Sequence, residues 1–244
     1  PICERRIDLH GRRQARGVDH GVATILDLVN RRLPMFNSKW NKVRDIQVLS
    51  PTRKGILGVE NLNNELQAIL NPPDKYKKEK KVKDFIFRVG DKVMQTKNNY
   101  SLKWNRIGGY GDNEGVGVFN GDMGFIESID EESRTVTVVF DDERRVVYDN
   151  VYIEELELAY AITIHKSQGS EFKVVITPAF MGSAFLMNRN ILYTGITRAK
   201  ELVVVVGNQK ALKYMVDNTN SMERYSSLKE RILDIVSDDK ISEE

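Results

Sequence analysis

Residues Leu202-Val203-Val204-Val205-Val206 form an unbroken apolar and largely β-branched run. That is the pattern of a strand covered on both faces, and so of a parallel sheet rather than a half-solvated antiparallel one. Val174-Val175-Ile176 and the Ile46, Val48 and Leu49 positions of 45–50 read the same way. Parallel strands need crossover connections, usually helices, and the sequence supplies them. Val22, Ile25, Leu26, Val29 and Leu33 recur at helical spacing up to Pro34, which is expected to stop the helix. Leu62, Leu66, Ile69 and Leu70 stripe a second helix over 59–70, closed by Asn71-Pro72-Pro73, and 188–194 and 211–216 read as two more.

Between these α/β stretches the texture changes. Short β-prone runs at 85–89, 92–96, 124–129, 135–140 and 144–148 alternate with turns such as Gly90-Asp91, Asn120-Gly121-Asp122 and Asp141-Asp142, the spacing of a small β-barrel. The glycine-rich stretch 107–117 reads as a long mobile loop on that barrel, and lysine-rich 74–83 as a solvated linker. An α/β beginning, a β middle and an α/β end imply one domain interrupted by another. The expected division is 21–82 and 156–244 for the α/β domain and 83–155 for the insert, with 157–163 running as one strand into a polar turn. Residues 1–20, with Arg5, Arg6, Arg12, Arg13 and Arg16, take no element from their pattern.

Charge narrows the function classes. Lys and Arg outnumber Asp and Glu by 21 to 11 over 1–100, fall to 5 against 14 over 101–157, and balance at 11 against 10 over 158–244. The basic first segment suits a polyanionic partner through phosphate neutralisation, or is a solvated lysine-rich surface. The single cysteine, Cys3, excludes an internal disulfide, and three histidines without further cysteine argue against structural zinc. No acidic constellation suits a metal-dependent nuclease. No apolar run approaches the roughly 20 residues that span a bilayer, so a cytoplasmic protein without a membrane partner is expected.

Chemistry concentrates in two segments. Residues 159–172 read Ala-Tyr-Ala-Ile-Thr-Ile-His-Lys-Ser-Gln-Gly-Ser-Glu-Phe, a strand leading into a turn rich in backbone N–H groups, hydroxyl, imidazole and ammonium. Such a turn at a sheet edge can bind an anion, or can be a solvated loop. Residues 192–200 read Leu-Tyr-Thr-Gly-Ile-Thr-Arg-Ala-Lys. Arg198 there can place a permanently ionised fork on the charge that develops as a γ-phosphate leaves, or can pair with Glu201 on the surface.

The first segment resembles motif V of superfamily-one helicases in the form of the RecD/TraA branch, and the second resembles motif VI, followed by the expected strand. The resemblance implies that Thr163, His165 and Lys166 face single-stranded DNA. It implies too that Gly169 and Glu171 face ATP, with Glu171 on the ribose, and that Arg198 is the arginine finger. Residues 46–55, Ile-Gln-Val-Leu-Ser-Pro-Thr-Arg-Lys-Gly, resemble the strand and loop that touch the DNA backbone in this family, which implicates Ser50, Thr52 and Arg53. Residues 85–155 resemble the branch's SH3-like barrel. Lys92, Lys97, Lys103 and Arg106, with Tyr100 and Trp104 between them, form a basic and aromatic edge on it, or the two aromatics belong to its core. Gln14, within Arg-Gln-Ala, resembles an element that lies near the nucleotide in the family.

No Gly-x-x-x-x-Gly-Lys-Ser/Thr occurs, and no acidic cluster follows an apolar strand. The resemblance is therefore to the second motor domain: a RecA-like α/β domain without the phosphate loop, interrupted by the barrel. It implies that ATP with Mg2+ is held mainly by an N-terminal motor domain of the same polypeptide, that movement is 5′→3′, and that recombination or repair proteins are partners. The chain alone is expected to bind no nucleotide tightly and to be inactive as an ATPase. Two alternatives stand beside this reading, a stand-alone nucleic-acid-binding module and a protein-interaction module built on the acidic barrel.

Overall fold

The computed structural model describes residues 17–83, 85–108, 113–141, 143–183, 185–219, 227, 231 and 232. Cys3, Gln14 and the arginines of 1–16 lie outside them. In chain order, α1 (Gly17–Asp27) continues through a π-helical turn (Leu28–Arg32) into α2 (Leu33–Phe36), and β1 (Ile46–Ser50) and α3 (Val59–Leu70) follow. Next come β2 (Glu79–Val82), β3 (Phe85–Arg88), β4 (Lys92–Gln95), β5 (Asn99–Arg106) and β6 (Glu114–Val118). After these are β7 (Met123–Asp130), β8 (Thr135–Phe140), β9 (Arg144–Tyr148) and β10 (Leu156–Leu158). Then β11 (Ala161–Thr163), β12 (Phe172–Ala179), α4 (Arg189–Ile196), β13 (Ala199–Gly207) and α5 (Gln209–Asp217) complete the described elements.

The apolar runs form a four-stranded, all-parallel sheet in the order β11-β1-β12-β13. Alternate residues of its central strands enter two cores. Ile46, Val48, Val174 and Ile176 pack with Val22, Ile25, Leu62 and Leu66 of α1 and α3. Leu49 and Val175 pack with Ile191, Leu192, Ala211 and Met215 of α4 and α5. Burial on both faces is why these strands carry no polar alternation.

The β-rich middle forms a seven-stranded sheet in the order β10-β4-β7-β8-β9-β5-β6, with antiparallel pairing throughout. Among the described residues its outer strands, β10 and β6, do not pair with each other. Where the strands are half solvated the side chains alternate, as in β9, whose Arg144, Val146 and Tyr148 are buried while Arg145 and Val147 are exposed.

Several elements differ from the sequence expectation. Pro34 does not end the helix: the helix widens into a π turn just before it, Leu33 N–H bonding to Leu28 C=O, and α2 continues through the proline. The wider turn relieves the clash of the proline ring with the preceding carbonyls. Residues 17–20, left without an element, open α1. Four residues of the expected linker 74–83 are strand, because Glu79–Val82 pairs with Phe85–Arg88 in a hairpin. Residues 114–117, assigned to the glycine-rich loop, belong to β6, where Gly115 lets the Trp104 ring lie on the backbone; an added Cβ would stand 2.4 Å from that ring. The stretch 157–163 is not one strand, since β10 pairs with β4 of the seven-stranded sheet whereas β11 pairs with β1.

A buried polar junction fastens the two sheets. Gln47, in the middle of β1, donates from Nε2 to the carbonyls of Ala159 (3.1 Å) and Tyr160 (3.1 Å), and its Oε1 accepts from Lys92 Nζ at 2.9 Å. Lys92 also donates to Val43 C=O at 3.0 Å. It is fully interior, which corrects its expected place on a basic outer edge. Burial lowers this ammonium to about 8, against the pull of the Asp141 and Asp45 carboxylates. Between that value and the unfolded lysine value of about 10.4, the folded chain binds fewer protons than the unfolded one, so stability rises with pH. Burial raises the Tyr148 and Tyr160 hydroxyls, so above about pH 10 the unfolded chain loses protons that the folded chain keeps, and stability falls. Urea titrations are therefore expected to show the unfolding free energy rising by about 2 kcal/mol between pH 8 and 10 and declining beyond. Lys92→Met should remove the rise, and a wild-type profile flat from pH 8 to 10 would contradict the lowering of this ammonium by burial.

Candidate functional site

At the carboxyl edge of the parallel sheet, β1 ends at Ser50 in register with Thr163 at the end of β11. The loop 51–58 and the 3-10 turn His165–Ser167 leave from there side by side. Ser50 is buried. Its hydroxyl donates to Leu57 C=O at 2.7 Å and accepts from Thr52 N–H at 3.2 Å. Ser50 thus folds the loop back on α3 and presents no side chain to a ligand, a correction to its expected DNA contact. Gly58 is required in the same turn, because a Cβ there would stand 2.5 Å from the Lys54 carbonyl carbon.

The other residues expected at DNA meet on this edge. Thr52 is half-buried, and Arg53 and His165 are exposed. Thr163 Oγ1 accepts from Lys166 N–H at 3.2 Å, which caps the turn, and Ser167 Oγ donates to Ile164 C=O at 2.7 Å. Arg53 Nη2 donates to Glu157 Oε1 at 2.8 Å and its Nε to Glu60 Oε1 at 3.1 Å, while Lys166 Nζ reaches Glu157 Oε2 at 3.1 Å. Burial pushes the Glu157 carboxyl upward, but Lys166 and Arg53 outweigh it and hold the group below its ordinary value. The Arg53 guanidinium, donating to Glu157 first and Glu60 second, is in turn held above its ordinary value.

The residues expected at a nucleotide lie at the opposite edge. Thr163 and Phe172 are six register levels apart across β1, or roughly 20 Å at about 3.3 Å per residue. Gly169, at φ +88°, turns the chain toward β12 in a backbone conformation that side chains rarely adopt, with open space around it. Phe172 N–H bonds to Arg198 C=O at 2.8 Å, and Arg198 Nη1 donates to Ser170 C=O at 3.2 Å, so the two motif-like segments interlock. The guanidinium otherwise bonds to Thr194 C=O and Thr197 Oγ1, each at 3.3 Å. Among the described residues no carboxylate pairs with it. Glu201, its presumed surface partner, instead accepts from Trp40 Nε1 at 2.8 Å. Glu171 is exposed and pairs with Lys200 Nζ at 3.0 Å.

Sequence reading missed Glu60, Glu157 and Lys200, the charged neighbours of the expected site residues. Glu157 was hidden because it lies on a strand of the other sheet, and only the paired register of β10 and β4 carries it to Arg53. On the insert, Tyr100 is exposed as expected, but its aromatic neighbour is Phe119, edge-on at 5.7 Å, while Trp104 covers Gly115.

Residues 62–140 match the family of ATP-dependent RecD-like DNA helicase SH3 domains, and residues 158–206 match the UvrD-like helicase C-terminal domain. The chain is 34% identical over 166 residues to the ATP-dependent RecD2 DNA helicase of Deinococcus radiodurans, a match over 68% of this chain and 20% of that protein. It is 28% identical over 196 residues to the RecBCD enzyme subunit RecD of Haemophilus influenzae, covering 78% of this chain and 25% of that one. The chain thus spans about a fifth to a quarter of the length of these relatives. Among solved structures it is similar to Bacteroides Pif1 bound to ssDNA, at 16% identity and a TM-score of 0.46, over 81% of this chain and 51% of that chain.

Proposed function

We infer that this chain, a member of the RecD-like DNA helicases by its RecD-like SH3 and UvrD-like C-terminal matches, carries the second RecA-like motor domain with the SH3-like insert and is the C-terminal motor half of an ATP-dependent helicase. In this reading Thr52, Arg53, Thr163, His165 and Lys166 bind single-stranded DNA at the carboxyl edge, and Gly169, Glu171 and Arg198 serve a nucleotide at the other. Movement along the strand is 5′→3′, and an N-terminal motor domain of the same polypeptide supplies the phosphate loop that no segment here contains. Recombination or repair proteins are the partners this reading leads us to expect.

The observation that carries it is the state of Arg198. A guanidinium held by neutral oxygens at 3.2–3.3 Å, tied to Ser170 and free of any carboxylate among the described residues, keeps its full charge for an incoming anion. The open space at Gly169 and the exposed Glu171 carboxylate beside it suit the sugar and phosphates of a nucleotide on the same edge. ATP with Mg2+, when bound between two motor domains, supplies the phosphoryl group whose transfer drives the motor. Arg198 would then neutralise charge, Glu171 would exchange Lys200 for the ribose hydroxyl, and the left-handed turn at Gly169 would keep side chains out of the way.

The purified chain is expected to bind a fluorescent oligo-dT, read by anisotropy. Affinity should fall linearly with salt on a logarithmic plot, by about 0.7 per phosphate neutralised for a single strand. It should show no DNA-stimulated ATP turnover. Steady turnover by the chain alone overturns the half-motor assignment, and absence of binding at low salt overturns the DNA-binding one.

A further inference from the structure

The cations expected to meet DNA are already paired with a carboxylate that comes from the other sheet. Glu157 offers one oxygen to Arg53 Nη2 at 2.8 Å and the other to Lys166 Nζ at 3.1 Å. Arg53 has a second acid, Glu60, at 3.1 Å. Two cations and two carboxylates leave this part of the edge without net charge, an unexpected balance for a surface that binds a polyanion.

Glu157 is held in this position from both sides. Its strand pairs with β4, with Glu157 opposite Met94. Just beyond it, Asn63 donates from Nδ2 to Leu158 C=O and Ala161 C=O, each at 2.9 Å, and accepts from Ala161 N–H at 2.8 Å. The carboxylate is therefore built into the edge rather than swung over by a flexible arm. Its side chain is 24% exposed, enough for solvent and a phosphate to reach the same cations. Carboxylate and phosphate oxygens make the same charge-assisted bonds to guanidinium and ammonium.

We propose that Glu157 is an intramolecular stand-in for a DNA phosphate. It occupies Arg53 and Lys166 in the free chain and limits how tightly the edge holds a single strand. The proposal rests on the DNA-binding reading of that edge. Glu157 is carried by the β10–β4 pair whereas Arg53 and Lys166 follow β1 and β11, so the insert sheet supplies one competitor for both cations. The insert would then set DNA affinity without touching the strand. A motor that must release one phosphate to reach the next gains from such a competitor, whereas a static binding module does not.

The test uses the whole chain and a fluorescent oligo-dT, with four single variants and one double variant read by anisotropy at fixed low salt. Glu157→Gln keeps the shape and a hydrogen-bond acceptor and removes the charge, so binding should tighten about three- to tenfold. Glu60→Gln, which releases only Arg53, should tighten it less. Arg53→Ala and Lys166→Ala should weaken it, and the gain from Glu157→Gln should shrink in an Arg53→Ala background. If Arg53→Ala and Lys166→Ala weaken binding but both glutamine variants bind no more tightly than wild type, the carboxylates orient the cations instead of competing for them, and the proposal is overturned. If neither alanine variant changes affinity, the DNA-binding reading of this edge fails, and the proposal with it. Thermal melts of the glutamine variants accompany the titrations, and Glu60→Gln, at an exposed helix position, carries the test if Glu157→Gln proves unstable.

Discussion

In the full-length helicase, Arg198→Ala is expected to lower DNA-stimulated ATP turnover by about a thousandfold or more while nucleotide affinity changes little. The expectation follows from where the charge stands. Arg198 is fixed by three bonds to neutral oxygens at 3.2–3.3 Å, and its backbone carbonyl accepts from Phe172 N–H at 2.8 Å, so its place relative to Ser170 and Glu171 is set before any ligand arrives. A preorganised cation aimed at developing charge acts on the transition state far more than on the bound ground state. Arg198→Lys is expected to restore little, because an ammonium lacks the planar fork that spans Ser170, Thr194 and Thr197. Glu201→Gln should leave turnover near wild type, since Glu201 serves Trp40 rather than Arg198. Single-turnover kinetics with a fluorescent ATP analogue separate binding from hydrolysis. Turnover unchanged in Arg198→Ala would remove the residue from this role.

What the sequence made legible is what local pattern encodes. Leu202–Val206, Val174–Ile176 and Ile46–Leu49 announce parallel strands, and they lie in one parallel sheet, although Leu202–Val205 on the outer strand β13 are half-buried rather than covered on both faces. The stripe through Leu62 and Leu66 announces α3, whose core face it forms. Hidden from it are features decided by partners distant in the chain. Lys92 reads as one more surface lysine, yet the carbonyl of Val43 and the side chain of Gln47 wait for it inside. Ser50 reads as a phosphate ligand, yet its loop closes on it through Leu57 and Thr52. Residues 157–163 read as one strand because the run is largely apolar. Only the crossing at Ala159 and Tyr160, held by Gln47 and Asn63, assigns the halves to different sheets. Glu157 falls in the same gap, since no spacing rule relates it to Arg53, 104 residues away.

Replacing Asp91 by leucine is expected to cost about 3–5 kcal/mol of unfolding free energy, a large fraction of the stability of an ordinary domain. Asp91 is buried at the start of β4 and accepts four hydrogen bonds. Gln67 Nε2 (2.6 Å) and Arg88 N–H (2.7 Å) share Oδ2, and Asn71 Nδ2 (2.6 Å) and the Tyr160 hydroxyl (2.9 Å) share Oδ1. Burial pushes the carboxyl upward, and the donors from Asn71, the Arg88 backbone, Tyr160 and Gln67 pull it back. Leucine has nearly the right volume but no acceptor. Gln67 and Asn71 would each keep one carbonyl, Ile86 and Val89 respectively, while the Tyr160 hydroxyl and the Arg88 amide would lose their bonds to Asp91. Tyr160→Phe deletes a single bond to the charged group and should cost about 1.5 kcal/mol. The double variant should cost less than the sum, because the two share one interaction. Guanidinium titrations at constant slope measure all three, and a loss below about 1 kcal/mol for Asp91→Leu would show that the carboxylate does not organise the junction. The cost should be high because these four donors come from α3 and its C-cap, the end of β3 and the β10–β11 crossing. Removing one acceptor loosens at once the helix beside the parallel sheet, the entry to the insert and the segment that carries Glu157 toward Arg53 and Lys166.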